Sequence, residues 1–257
     1  MTGKDKYYNK SKQEGYRARS AYKLKQLDAS NDLFSRGDTV LDLGAAPGGW
    51  LQVAAESLGK NGRLIGVDQR NIEPLEDTDI EISFIRGDIT NQETKEEIVE
   101  IATSVDVVLS DMAPNMSGEY NLDHARSVYL ARQAFQIAAD VLAPDGDFVV
   151  KVFEGPDLES FEDNLTETFE YVNRTRPEAT REESAELYLI GKHYISAPVT
   201  EGDILTVDIE STGDEGDGIA KVDGYTIFVE GADTGDEIEI EVSDVKTNYG
   251  FASKTDN

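Results

Sequence analysis

Cysteine is absent from this chain, which removes disulfides, cysteine-ligated zinc and every reaction that needs a thiolate nucleophile. Histidine is nearly absent too. His124 and His193 stand alone at a spacing unsuited to a metal site, and both read as structural or surface residues. No apolar run reaches the roughly 18 residues that a membrane span needs. The opening MTGKDKYYNKSK has no apolar stretch of the secretory kind, so a cytoplasmic chain is expected. With 257 residues, 39% of them apolar, there is room for one α/β domain and a small module.

Basic residues are scarce: 24 Lys and Arg face 52 Asp and Glu, a formal net charge of −28. The acids are scattered over every expected surface. That pattern reads as a solubility device for a very salty cytoplasm, where the Debye length falls to about 3 Å at 1 M. A basic partner is the competing explanation. The deficit is not uniform, because residues 1–25 carry Lys4, Lys6, Lys10, Lys12, Arg17, Arg19, Lys23 and Lys25 against only Asp5 and Glu14. This basic arm is interleaved with Tyr7, Tyr8, Tyr16 and Tyr22, a composition suited to a polyanion with stackable bases. For residues 1–12 a solvated tail is the equally open reading.

Short β-branched runs alternate with helical stretches from residue 19 to about 194. Strands are expected at Thr39–Leu43, Arg63–Asp68, Ile82–Arg86, Val105–Ser110, Asp147–Phe153, Glu170–Thr175 and Glu186–Gly191. Helices are expected at 19–30, 48–58, 91–102, 122–143 and 157–167. Runs such as TVLDL, RLIGVD, VDVVLSD and DFVVKVF are almost continuously apolar, as a parallel sheet covered on both faces requires. The alternation implies a doubly wound α/β sheet. From Val199 the pattern changes to alternating strands broken by Gly-Asp turns, the mark of a separate small β-barrel. The expected domains are therefore 1–198 and 199–257.

The strand TVLDL runs into Gly44-Ala45-Ala46-Pro47-Gly48-Gly49-Trp50 and then an apolar helix. Glycines at a strand-to-helix turn let a ligand approach the backbone closely. The spacing fits neither G-x-G-x-x-G nor a phosphate P-loop. Asp68 closes the second strand about 20 residues later, where a carboxylate can accept two hydrogen bonds from a ribose diol. Asp88 ends the third strand, and Asp111 the fourth. Three carboxylates thus line the carboxyl edge of the sheet. Together with DLGAAPGGW they resemble the S-adenosylmethionine site of the class I methyltransferases, with a Rossmann-like, mostly parallel seven-stranded sheet.

Lys151 lies inside the apolar strand Phe148–Phe153, where a lysine is costly unless it is paired or functional. An edge strand with the lysine facing water is the alternative. The absence of an Asn/Asp-Pro-Pro-aromatic motif after the fourth strand argues against methylation of base amino groups. The lack of cysteine argues against methylation of pyrimidine carbon. The chain resembles the FtsJ/RrmJ (RlmE-type) ribosomal RNA large-subunit 2′-O-methyltransferases. The residues that carry this likeness are Arg19–Leu24, DLGAAPGGW, Ser110–Asn115, Lys151-Val152-Phe153 and Ser184–Tyr188, and it covers about residues 10–194. The resemblance implies a Lys-Asp-Lys-Glu tetrad at Lys23, Asp111, Lys151 and Glu186. It also implies that Gly48, Trp50, Asp68, Asp88 and Asp111 contact S-adenosylmethionine, with Gly44, Pro47 and Gly49 shaping the same turn. The implied target is a uridine ribose in large-subunit rRNA.

In-line transfer from a sulfonium draws much of its acceleration from alignment. The ribose hydroxyl must also lose a proton. Lys151 either takes it as a neutral amine or, as an ammonium, holds the oxygen and stabilises its developing charge. The donor methyl is already activated, so no metal is expected. Residues 200–257 look like a TRAM domain, an RNA-binding barrel, through Gly218–Gly224, Thr226–Val229 and the Gly235-Asp236 turn. Tyr225, Phe228, Tyr249 and Phe251 are its candidates for stacking on bases. The expected protein is a monomer of halophilic character acting on rRNA or the large ribosomal subunit. The same chemistry on transfer RNA, or a non-catalytic assembly factor, are the alternatives.

Overall fold

The computed structural model describes residues 6–76, 78–181, 183–213 and 216–255. Seven strands form one sheet: β1 (Thr39–Leu43), β2 (Arg63–Asp68), β3 (Glu81–Arg86), β4 (Val105–Ser110), β5 (Leu142–Phe153), β6 (Phe169–Thr175) and β7 (Glu186–Tyr194). Their order is β3-β2-β1-β4-β5-β7-β6. The first five run parallel, and β7 is antiparallel to both β5 and β6.

Successive residues of each central strand enter opposite cores. Leu41, Leu43, Val108, Val150 and Val152 pack beneath α4 (Gln92–Ile101), α5 (Tyr120–Val141) and α6 (Leu158–Thr166) through Ile98, Val128, Ile137 and Phe161. Val40, Leu109, Val149 and Ile190 face α2 (Ala21–Asn31) and α3 (Gly49–Leu58) through Leu24, Leu27, Leu51 and Ala54. This two-sided burial explains why the strand sequences read as continuous apolar runs. Helix α5 ends at Val141 and β5 begins at Leu142, so the strand is longer at its start than expected. It pairs irregularly with β4 until Asp147.

Residues Lys6–Glu14 form a helix, α1, which hydrophobic periodicity does not reveal. Its buried residue is Ser11, and the partly buried Tyr7 makes its contact with α2. The Tyr7 ring lies 5.4 Å from that of Tyr22, and Gln26 donates to the Tyr7 hydroxyl at 3.0 Å. Lys10 stands 4.7 Å over the Tyr22 ring.

The C-terminal sheet contains β8 (Ile204–Asp208), β9 (Ser211–Thr212), β10 (Gly218–Val222), β11 (Tyr225–Val229), β12 (Glu237–Val245) and β13 (Tyr249–Lys254) in the order β8-β12-β13-β11-β10-β9. The chain between β8 and β9 bends from one edge to the other. Ile209 N–H donates to Asp236 O, and Glu210 N–H donates to Ile219 O, so the sheet curls into a half-barrel. Val207, Ala220, Ile227, Val229, Ile240 and Val242 fill it. Of the four aromatics named above, Tyr225 belongs to this core, with its hydroxyl 2.6 Å from Lys246 O, and is not free to stack. Phe228, Tyr249 and Phe251 instead cluster outward at 5.6–5.8 Å between ring centres. Thr247 Oγ1 joins the two sheets, donating to Glu170 Oε1 at 2.9 Å.

Candidate active site

Asp111 leaves the end of β4, Lys151 lies in β5, Glu186 opens β7, and Lys23 lies in the first turn of α2. The register places Lys151 opposite Tyr188 and, by alternation, on the face it shares with Val149. That face belongs to α2, so four distant sequence segments converge. Lys151 Nζ donates to the main-chain oxygen of Asp111 and, at 2.9 Å, to its Oδ1. Lys23 Nζ pairs directly with Glu186 Oε1 and lies 4.0 Å from Asp111 Oδ1. Thr180 Oγ1 adds a donor to Glu186 at 3.3 Å. Lys23 and Lys151 are 8% and 7% exposed, so neither behaves as a surface lysine. Each buried charge has an opposite partner, which burial in an apolar surrounding demands.

Tyr188, at the end of the Ser184–Tyr188 motif, is fully buried and donates its hydroxyl to Asp111 Oδ1 at 2.6 Å. Burial, then the carboxylates of Asp111 and Glu186, push its phenol well above the ordinary range, so it remains a donor. Burial alone would raise the Asp111 carboxyl. Lys151, Lys23 and the Tyr188 hydroxyl outweigh burial and hold it below its usual value.

An open cleft of about 790 Å³ begins at Asp111 and crosses the carboxyl ends of β1 to β4. Gly44, Pro47, Gly49, Trp50, Asp68 and Asp88 line it, as do Ser20 and Asp42. Asp68 uses Oδ2 to accept from Ala46 N–H at 2.9 Å and Oδ1 to accept from Arg70 N–H at 2.8 Å. It therefore fixes the glycine turn from below. Asp88 Oδ1 accepts from the amide and the hydroxyl of Thr90, at 2.9 and 2.8 Å. The Trp50 indole donates to Ser20 O at 2.9 Å, and its ring centre lies 5.9 Å from that of Tyr188. Trp50 thus connects the cleft to the charged cluster.

The glycines of this turn also make room for the protein's own chain. Gly48 does not line the cleft: with φ +104°, a Cβ there would come 2.7 Å from Arg17 Nη1. At Gly49 a Cβ would meet Ala18 Cβ at 3.1 Å, and at Gly44 it would overlap the Met112 side chain. Arg17 also donates to Pro47 O at 3.3 Å. Residues 17–20 therefore lie directly over the turn.

Asp42, two residues ahead of the turn, escaped sequence reasoning although it breaks the apolar run TVLDL just as Lys151 breaks DFVVKVF. It is 1% exposed, and its Oδ2 has no hydrogen-bond partner. Burial, with Asp111 and Asp68 nearby, pushes its carboxyl well above the ordinary value. His124 is buried between α5 and the end of β5. Its Nδ1 lies 2.8 Å from Phe153 O, and Asp157 N–H lies 3.1 Å from its Nε2, so both ring nitrogens are engaged with the main chain. His193 is partly exposed, with Nδ1 2.6 Å from Asp145 Oδ1. Among the described residues no group of three His, Asp or Glu could hold a metal ion.

Comparison with known proteins agrees with this architecture. Residues 16–194 match the FtsJ-like methyltransferase family, and residues 198–255 match the TRAM domain. Ribosomal RNA large subunit methyltransferase E of Halorubrum lacusprofundi is 57% identical over 100% of this chain and 95% of its own length. The protein of the same name from Natronomonas pharaonis is 56% identical, over 98% of each chain. Among solved structures, a putative ribosomal RNA methyltransferase from Plasmodium falciparum superposes with a TM-score of 0.61 at 28% identity, covering 70% of this chain and 98% of that one. A seven-stranded sheet with β7 reversed, a cleft at its carboxyl edge and a full-length likeness to these enzymes have one meaning: the chain belongs to the FtsJ-like methyltransferase family and carries a TRAM domain behind the catalytic one.

Proposed function

We propose that the chain methylates the ribose 2′-hydroxyl of a uridine in large-subunit (23S) rRNA, with S-adenosylmethionine as methyl donor. The observation that carries this reading is the buried Lys151–Asp111–Lys23–Glu186 cluster at the end of an open cleft. The cleft suits the donor's chemistry. Asp68 and Asp88 present carboxylate to a ribose diol and an adenine amino group. Asp111, whose carboxyl is held below its usual value, offers negative charge to a cationic ligand. Gly44, Pro47, Gly49 and Trp50 shape the wall between these carboxylates, and Gly48 completes the turn that carries them. When bound, the donor supplies an electrophilic methyl on a positive sulfur.

Lys151 spends two of its N–H groups on Asp111. An ammonium has three, and the third holds the ribose oxygen and stabilises the negative charge that grows there during attack. Asp111 and Tyr188 keep that ammonium oriented, while Glu186 and Thr180 do the same for Lys23. Alignment and charge stabilisation are the catalytic contributions, and the hydroxyl proton passes to solvent water. RNA contact falls on the basic N-terminal arm, where α1 projects Lys6, Lys10 and Lys12 from an otherwise acidic molecule. The division of labour is catalysis in residues 1–198 and auxiliary RNA contact in 199–257.

The test is methyl transfer to large subunits, free rRNA and transfer RNA in molar salt, followed by mapping of the modified nucleotide. A 2′-O-methyluridine in 23S rRNA is expected, and Lys151→Ala should abolish it while cofactor affinity stays nearly intact. Labelling of transfer RNA alone would overturn the substrate assignment, and near-normal turnover by Lys151→Ala would remove Lys151 from the mechanism.

A further inference from the structure

The segment between Asp111 and the start of α5 leaves large apolar side chains in solvent: Met116 is 62% exposed and Tyr120 is 57% exposed. They are not loosely held. Asp123, 3% exposed, accepts hydrogen bonds from the Ser117 amide at 2.7 Å, the Ser117 hydroxyl at 2.8 Å and the Gly118 amide at 3.0 Å. These bonds pin the turn that carries Met116 outward. At the other end, the Tyr120 hydroxyl donates to Glu154 O at 2.7 Å, fixing the ring in place while its face stays uncovered. Glu154 N–H in turn donates to Ala185 O, the residue before Glu186. Both ends of this exposed pair are thus tied to the charged cluster, one through Asp111 in sequence and the other through Glu154 and Ala185. Asn115, next to Met116, lines the cleft, so the pair continues the cleft wall outward.

We infer that Tyr120 and Met116 form a stacking surface for an unpaired base of the RNA substrate, at or beside the nucleotide being methylated. The inference rests on the proposed activity at that cluster. A ribose presented to Lys151 brings its base and those of its neighbours, and bases drawn out of a helix are received on aromatic and apolar faces. An exposed ring whose hydroxyl is already satisfied offers a face for stacking with little side-chain freedom left to lose. In a molecule of net charge −28 this contact has a further merit, since stacking, unlike phosphate pairing, persists in high salt.

Tyr120→Ala should raise the KM for large-subunit rRNA about ten-fold in molar KCl, the scale of one lost base–ring stack. Cofactor affinity should not change, which also reports that the variant is folded. Tyr120→Phe keeps the ring and should stay within about two-fold of wild type, whereas Met116→Ala should lie between the two. In parallel, a single-stranded RNA bearing 2-aminopurine should lose fluorescence on binding wild type and Tyr120→Phe but not Tyr120→Ala. An unchanged KM and unchanged quenching in Tyr120→Ala overturn the stacking surface. Tyr120-dependent quenching without methyl transfer by the wild type would leave the surface standing and refute the proposed activity instead.

Discussion

Replacing Lys151 with Met removes one of the two cations beside Asp111 and keeps an unbranched, similarly shaped side chain. Removing one partner of a buried ion pair costs about 3–5 kcal/mol. Here Lys23 at 4.0 Å and the Tyr188 hydroxyl at 2.6 Å remain on the same carboxylate oxygen, so the low end, about 3 kcal/mol, applies. In a domain of this size that is a fall of about 6–12 °C in melting temperature. Asp111→Asn leaves Lys151 its bond to the main-chain oxygen and Lys23 its bond to Glu186, and should cost about 2 kcal/mol. The double variant strands no charge. It should cost about 2 kcal/mol, not the additive sum of about 5, a coupling of about 3 kcal/mol. The assay is denaturant unfolding of the four proteins in molar salt, where buried pairs are little screened, with methyl transfer measured alongside. All three variants should be inactive while the double is more stable than Lys151→Met. A double variant that matches the sum of the singles within about 0.5 kcal/mol would refute the account of the cluster as mutually compensating charges.

Acid and base titration should separate Asp42 from Asp111. The raised carboxyl of Asp42 lets the folded state hold its proton longer. Stability therefore declines as pH rises from 3.8 through the raised value and stays lowered above it. Asp42→Asn should be flat across that window and melt higher than wild type above it. A melting-temperature difference that does not vary from about pH 4 to 7 would sink this reading. Asp111 works in the opposite direction: its stabilisation is complete above 3.8 and is lost as pH falls through its lowered value. His124→Phe should cost about 2–4 kcal/mol by leaving Phe153 O and the Asp157 amide without a partner, with the loss read from calorimetry at saturating cofactor.

The sheet was legible because two-sided burial leaves an unmistakable apolar signature, and Lys151 was legible because it violates one. The same violation occurs at Lys192 in β7, with a different meaning. Lys192 is buried against Asp147 and reaches Asp32 O at 3.2 Å, at the end of the sheet remote from the cleft. Composition cannot tell the two lysines apart; strand register can, since Lys151 pairs with Tyr188 near the carboxyl edge and Lys192 pairs with Tyr171 near the other. Asp42 was hidden by its position inside a motif already assigned to glycine. Helix α1 was hidden because it buries only Ser11 and part of Tyr7, so no apolar stripe marks it. The roles of Tyr188 and Ser20 lie in single hydrogen bonds across 77 and 30 residues, which spacing along the chain does not encode.

The fit of Arg17 and Ala18 over Gly48 and Gly49 bears on how this catalytic unit can be taken apart. The glycine turn and the segment above it are two halves of one mould, so neither can be transplanted alone. A chimera that receives residues 42–50 without residues 17–20 would inherit a turn with a hollow where its lid belongs and an indole deprived of the Ser20 carbonyl. Conversely, an alanine at position 49 would be best tolerated in a chain that has given up the methyl of Ala18. A junction placed between α1 and α2 would cut through the wall of the cleft, which Ser20 lines.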